Sequence, residues 1–577
     1  MQDIFWYMYF ENVIYILLVQ FFLLLVLVVF NFRDIAEEFS KIKKKTIILA
    51  LAISVLGSLL MLLSGYQMGG GDWFDLIVAK EFSNGLTGYY TSEYYYGPFF
   101  PLLTSLIFYV FGANPVHVNF LNSSMMALTP FIVFLVFYTM FRNENFALVT
   151  SVVSLLTILH QSSYHSEFFY VTSFFMGLAL LFSFLSFKIN KKSMYLLALI
   201  TILLLGQIKL EYMSVLPAFL LGLVIFRGGD FTSVKKFVSF LKDRFLVPLL
   251  IFLLLSGAYI AKFYHVWETW YLQYAFQLSH LEVSSKGFLY FWATSPNIYL
   301  SFLFATGVVC AFVFKEHRKE IILLLSFFIL HNIPYLLHYN GYQECYGILT
   351  YMPYVIISGF GVRSLAKILN EKLKMADHII PAVLMILFLS SYALVLNSRG
   401  PLGFENINVS FSRFAVSDCE LEIARIVDFG NSSFLIVQDD SSNYKWTFLT
   451  LRGAEPLQWL VTSSGVYRDY IKTVKEQYPN IFSSSIYFYN ETYATKLEDL
   501  ERDAYNKSME RIYNMSRLGG VENPLNISFG DGEFFYIHTN PGDITSSLFK
   551  EIYNLTRIYE CDDYTLYRIN NVTASES

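Results

Sequence analysis

Apolar runs near the ~20 residues that cross a ~30 Å hydrocarbon core recur along this chain, and most of its charges fall in the short segments between them. Only 15% of its 577 residues are charged, against about 25% in soluble domains. Twelve runs qualify: 11–31, 46–65, 117–140, 145–160, 168–187, 194–207, 212–226, 246–262, 296–314, 320–336, 347–365 and 378–396. Backbone groups in lipid must pair within their own segment, so each run is expected to be a helix. Asp3 and Glu11 precede the first run and no basic start accompanies it, so it reads as a span and not as a signal peptide. The expected fold class is a polytopic α-helical membrane protein of about twelve spans, followed by a C-terminal extracytoplasmic α+β domain.

Charge orients the set. One series of loops carries Arg33, Lys41, Lys43, Lys44, Lys45, Arg142, Lys188, Lys191 and Lys192. The same series continues with Arg227, Lys235, Lys236, Lys242, Arg244, Lys315, Arg318, Lys319, Arg363, Lys367, Lys372 and Lys374. The opposite short loops carry only Lys80, Lys209, Lys262 and Lys286. By the positive-inside rule the first series is cytoplasmic, which makes the chain a multi-pass cell-membrane protein with both termini extracytoplasmic. Counting the further apolar stretch Phe99–Phe111 as a span would invert every later loop, so it is expected to lie at the outer interface.

Three regions result: an extra N-terminal span with a basic loop (1–45), a transmembrane domain (46–396) whose outer loop covers 66–116, and a polar tail (397–577). In the tail, strand-like runs such as Phe434-Leu435-Ile436-Val437 alternate with helix-like ones such as Tyr470–Glu476. Eight of its fifteen Asn stand in Asn-x-Ser/Thr: Asn408, Asn431, Asn490, Asn506, Asn514, Asn526, Asn554 and Asn571. In the membrane part only Asn122 of thirteen does. Such triplets accept glycans on exported surfaces, so the tail is expected to be an external glycoprotein domain. Cys419 and Cys561 bracket it and are placed to pair in an oxidising compartment, although spacing alone does not fix that.

Chemistry concentrates on the outer side. The first outer loop reads Gly69-Gly70-Gly71-Asp72-Trp73-Phe74-Asp75, then Glu93-Tyr94-Tyr95-Tyr96-Gly97-Pro98. A carboxylate just beyond a span is either a solvated loop acid or a general base for an attacking hydroxyl. The next outer turn holds His160 and His165-Ser166-Glu167, either as helix-end caps facing water or as a pair suited to a divalent cation. Lys209 and Glu211 follow, as a mutual ion pair or with Lys209 facing an anionic phosphate. Later outer loops carry His265, Glu268, His280, Glu282, His338 and Glu344 among belt-like aromatics. Neither a Walker pattern nor a strand-to-helix Gly-x-Gly-x-x-Gly occurs, which leaves a soluble nucleotide-sugar donor unsupported.

In their order along one membrane side, these residues resemble GT-C membrane glycosyltransferases of the dolichyl-phosphate-mannose protein mannosyltransferase type. The likeness runs over Asp72, Ala79, Gly85, Tyr90, Tyr96-Gly97-Pro98, Pro101 and Phe111-Gly112, then His165-Ser166-Glu167, Gly206-Gln207-Ile208-Lys209 with Pro217, and Tyr346, Tyr351 and Pro353. It covers roughly 46–396. The resemblance implies a GT-C-like catalytic domain, a polyprenyl (dolichyl) phosphate-linked sugar donor, inversion at the anomeric carbon and Asp72 as catalytic base. It further implies substrate-binding roles for Asp75, Glu93, His165, Glu167, Lys209, Glu211, His338 and Glu344, with His165 and Glu167 as metal ligands if a divalent cation takes part.

An Arg common near the late Tyr/Pro segment is replaced here by Gln343 and Glu344, leaving Lys209, Lys80 or a loop histidine to meet the phosphate. The tail lacks a Trp-Trp-Asp motif, unlike the oligosaccharyltransferase branch. The expected function is sugar transfer at the outer membrane face to a glycan, lipid or protein acceptor, within membrane lipid, with no nucleic-acid partner, and an archaeal membrane is favoured. The competing expectations are a transporter or lipid flippase, which predicts mid-span charges and internal repeats, and a non-catalytic GT-C-like scaffold.

Overall fold

Eleven of the twelve apolar runs are helical in the computed structural model. It describes residues 12–63, 72–86, 97–161, 169–208, 210–257, 297–336, 348–373, 416–429, 432–438, 443–451, 454–482, 491–518, 525, 533–540 and 544–572. The twelfth run, 378–396, and the expected domain boundary at 396/397 lie outside these residues. Two compact units are present, Met1–Phe414 and Ala415–Ser577.

The first unit contains α1 (Val13–Phe30), α2 (Phe32–Phe39), α3 (Lys44–Leu63), α4 (Asp72–Ser83), α5 (Phe99–Phe111), α6 (Val116–Phe141), α7 (Glu144–Gln161), α8 (Phe169–Ile189) and α9 (Lys192–Gly206). After a 3-10 turn (Leu210–Ser214) come α10 (Val215–Arg227), α11 (Val234–Phe240), α12 (Asn297–Phe314), α13 (Arg318–Leu336) and α14 (Ile348–Leu373). Among the described residues, three helices are long and apolar enough to cross a membrane: Val13–Phe30, Val171–Ile189 and Tyr351–Asn370. Shorter apolar helices accompany them, among them Phe99–Phe111, Lys192–Gly206 and Tyr299–Phe314. The chain is a membrane protein. Leu, Ile, Val and Phe run round every face of α1 and α9, the pattern of a helix without a water-facing side.

Small residues let these helices approach. A Cβ at Gly307 of α12 would overlap the Ile357 carbonyl oxygen of α14, and a Cβ at Gly361 would overlap that of Leu303. Close backbone contact of this kind drives helix association where lipid removes the hydrophobic incentive. Polar side chains add ties: Ser301 and Tyr354 hydroxyls lie 2.7 Å apart, and the Tyr351 hydroxyl is bonded to Ser154 within the bundle.

One end of the bundle is a charge lattice. Glu38 of α2 takes both Arg142 and Lys188. Asp34 takes Lys191 at 2.6 Å. Glu144 accepts from the Thr46 hydroxyl at 2.6 Å, and the Ser193 hydroxyl donates to Asn31 at 2.6 Å. The Phe141 ring meets His317 and Phe360 at 5.1 and 4.9 Å, which brings residues 315–317 and the second half of α14 to the same end. Loops grouped in the sequence by their basic residues thus converge in space.

The second unit holds a five-stranded sheet in the order β2-β1-β3-β5-β4, with β1 Ser432–Val437, β2 Ala454–Pro456, β3 Glu533–Thr539, β4 Tyr553–Glu560 and β5 Tyr564–Val572. β1 pairs in parallel with β2 and β3, while β3–β5 and β4–β5 are antiparallel. Parallel neighbours need crossover connections. The helix Asn443–Thr450 supplies one, and the long helix Glu491–Arg517 lies within the other. Ile436, Tyr536, Met509, Ile512, Phe549 and Ile569 meet in the core. Asn506, Asn514 and Asn554, three of the eight tail triplets, are exposed.

Cys419 and Cys561 are disulfide-bonded across 142 residues. Closing so long a loop removes unfolded-state entropy worth about 2–5 kcal/mol. Cys419→Ser in the full chain is therefore expected to lose that much stability in this unit, read as faster amide exchange in Asp418–Phe429 and β5. Unchanged exchange protection there would contradict it.

Candidate active site

At the end of the bundle opposite the charge lattice, two segments that the sequence predicts on the outer side meet. The backbone N–H of Gly97 donates to Ile208 O and that of Phe99 to Gln207 O, both at 3.0 Å. Gly97–Phe99 is thereby bonded to the turn at 207–208. Glycine is required there, because a Cβ at position 97 would overlap the Gln207 carbonyl. The Gln207 side chain donates to Gln20 Oε1 at 2.8 Å, and Gln20 donates in turn to Leu255 O at 3.3 Å. Phe99 stands edge-on to Phe175 at 4.9 Å and tilts over Phe21 at 6.1 Å. α1, the first outer loop, α8 and the 207–208 turn are knitted into one floor.

α4 packs on α5 above that floor. Asp72 is its first residue, and Trp73, Asp75, Leu76, Ile77 and Val78 are buried within it. Asp75 is 1% exposed, one turn beyond Asp72, too deep to take a proton from a solvent-borne hydroxyl without rearrangement. Glu211 lies in the 3-10 turn Leu210–Ser214. Glu93, His165, Glu167, Lys209, His338 and Glu344 lie outside the described residues. Among the described residues no three His, Cys, Asp or Glu side chains gather to hold a metal.

A second feature was not anticipated from the sequence. Thr104 Oγ1, both amide atoms of Asn122, Thr172 Oγ1, Ser173 Oγ and Gln207 Oε1 are buried without a hydrogen-bond partner among the described residues. They belong to the outer part of α5, the first turns of α6 and α8, and the end of α9. Asn122 is fully buried, so its Asn-Ser-Ser triplet is inaccessible in the folded protein. Thr172-Ser173 lies five residues after Glu167 in the sequence, and that proximity was the available signal. Tyr351, part of the family resemblance, is instead a packing residue: fully buried, its hydroxyl is engaged by Ser154.

No family model matches this sequence, and no curated protein matches it. Solved structures do. Apo ArnT from Cupriavidus metallidurans superposes with a TM-score of 0.50 at 11% identity, over 90% of this chain and 97% of that one. The same protein bound to undecaprenyl phosphate gives 0.47 at 11% identity, over 93% and 100%. Archaeal oligosaccharyltransferase AglB from Archaeoglobus fulgidus, in complex with an inhibitory peptide and a dolichol-phosphate, gives 0.44 at 11% identity, over 91% and 74%. The likeness to apo ArnT is one of fold: the chain has a GT-C fold.

Gly97→Ala is expected to cost about 1–3 kcal/mol by overpacking against Gln207. Gly228→Ala, at a site with open space and an ordinary φ of −51°, should stay within about 0.5 kcal/mol. Thermal unfolding of the two variants in detergent checks this; equal melting points would refute the close contact.

Proposed function

We propose that this chain is an inverting glycosyltransferase that moves a hexose or pentose from a polyprenyl-phosphate carrier to a glycan, lipid or protein acceptor at the outer membrane face. The observation that supports it most is the bonding of the Gly97–Phe99 backbone to Gln207–Ile208. That contact links the segment following the Asp72 loop in sequence to the residues preceding Lys209, as this reading, with Asp72 as base and Lys209 as phosphate cation, requires. The ArnT fold belongs to a protein also solved with undecaprenyl phosphate, which fits a lipid-borne donor entering sideways from the membrane. The dolichyl-phosphate-mannose type, protein as acceptor and an archaeal source are the finer form of this reading.

In the reaction, Asp72 takes the acceptor hydroxyl proton as the oxygen attacks the anomeric carbon. The bond from that carbon to the phosphate oxygen breaks, and the polyprenyl phosphate leaves as an anion with the configuration inverted. A phosphate leaving group needs no second carboxylic acid to protonate it, unlike the alkoxide of glycoside hydrolysis. Lys209 balances the charge that develops on the phosphate. Glu93, Glu211, His338 and Glu344 hold sugar and acceptor hydroxyls, and Asp75 stiffens the helix start that carries Asp72. His165 and Glu167 offer an imidazole nitrogen and a carboxylate oxygen, two ligands acceptable to a divalent cation; no step here runs through one. The termini are proposed to lie outside, with about twelve spans between.

A positioned general base contributes about 10²–10⁴-fold. Asp72→Asn keeps size and removes basicity, so transfer from labelled polyprenyl-phosphate sugars in membranes should fall by that factor at unchanged expression. Wild-type turnover in Asp72→Asn would overturn the assignment. Asp75→Asn should lose less activity and more thermal stability, and the reverse ranking would make Asp75 the base.

A further inference from the structure

At the basic end of the bundle, between α12 and α14, lies a cavity of about 90 Å³ lined by Phe314, Glu316, Phe360, Arg363, Ser364 and Lys367. It far exceeds the roughly 10–15 Å³ that admits one water. Arg363 leans over the Phe360 ring, its Cζ 5.9 Å from the centroid. Its Nη1 is buried and has no hydrogen-bond partner among the described residues. The nearby carboxylate, Glu316, is engaged by Lys367 at 2.6 Å, and that hydrogen bond holds its carboxyl below the usual range. His317, beside it, is pushed down by burial and by Arg363, with Glu316 opposing. Lys315, Arg318, Lys319 and Glu320 neighbour Glu316 in the sequence and leave the segment net positive.

Beside the cavity, α12 exposes Phe302, Val309, Val313 and Phe314, with 63, 58, 64 and 52% of their surface free. Apolar residues this exposed on one helix of a membrane protein face acyl chains. The site therefore has an oily approach, an aromatic floor and a guanidinium whose buried N–H group needs an acceptor. A buried N–H left without an acceptor is costly, and a planar guanidinium matches phosphate oxygens in two-point geometry.

We propose that this cavity binds the phosphate of an anionic membrane phospholipid, with its acyl chains along the exposed face of α12. Arg363 supplies the direct hydrogen bonds and Lys367 a second charge at the rim. Basic recesses between spans on the positively charged side of a membrane protein favour such headgroups. The site lies at the opposite end of the bundle from Asp72 and stands whatever chemistry occurs there.

Native mass spectrometry of the full chain, released from nanodiscs of equal phosphatidylglycerol and phosphatidylcholine, tests it. Wild type should retain phosphatidylglycerol preferentially, one molecule per chain. Arg363→Gln should cut that preference roughly tenfold, the worth of a hydrogen bond to a charged group. Lys367→Gln, at an exposed position, should cut it about fivefold. Glu316→Gln removes the one carboxylate of the cavity and should raise the preference, a gain that a folding defect does not produce. Equal retention by wild type and Arg363→Gln, or a lowered preference in Glu316→Gln, would overturn the proposal. So would a melting-point increase from millimolar inorganic phosphate equal to that from phosphatidylglycerol, because the ligand would then be a soluble anion.

Discussion

Hydrocarbon offers no hydrogen bonds, and that constraint arranges this molecule. Main-chain groups are satisfied inside helices, so what distinguishes one part of the bundle from another is the fate of its side-chain polar groups. At the basic end three acids of α2 and the adjoining loops take basic partners: Glu38 with Arg142 and Lys188, Asp34 with Lys191, Glu316 with Lys367. These side chains are partly exposed, so each pair contributes on the order of 1 kcal/mol or less. Their effect is to fix which helix ends lie together.

The opposite end is organised by the main chain. Two hydrogen bonds from Gly97 and Phe99 to the 207–208 turn, with Gln207 bonded to Gln20, hold three segments distant in sequence. Shape there depends on a missing side chain, since any Cβ at position 97 would collide with the Gln207 carbonyl. A rigid floor of this kind suits a reaction that must align a hydroxyl, an anomeric carbon and a leaving phosphate, because misplacement by about 1 Å costs on the order of 10²-fold in rate.

The helices were legible because hydrophobic run length is a direct readout of hydrocarbon thickness, and boundaries such as 116–141 against 117–140 differ by a residue or so. The grouping of basic loops was legible for the same reason. The contact between Gly97 and Ile208 was not, because pairing between two loops some 110 residues apart leaves no periodicity. Nor was the parallel half of the second unit's sheet: β2 is three residues long, too short for alternation to register. Thr104, Thr172 and Ser173 read as ordinary small polar residues in apolar helices, where Ser and Thr usually bond back to a carbonyl four residues earlier, as Thr129 and Thr150 do. For Tyr351, its place in the family resemblance carried no role, and burial against Ser154 assigns it to packing.

The unpartnered groups at the outer end bear on why the two ends differ. Each buried polar group without a partner costs about 1–3 kcal/mol. Thr104, Asn122, Thr172, Ser173 and the Gln207 oxygen have no such partner among the described residues. A fold under selection for stability alone would replace Asn122 with Leu at no loss of helix propensity. Five such groups without a partner among the described residues cluster in α5, the N-terminal parts of α6 and α8, and the end of α9, which fits the proposed reading of a hydroxyl-rich substrate there. On that argument Asn122 is the most informative of the five. Its two amide donors and one acceptor are buried together, and a sugar hydroxyl both donates and accepts.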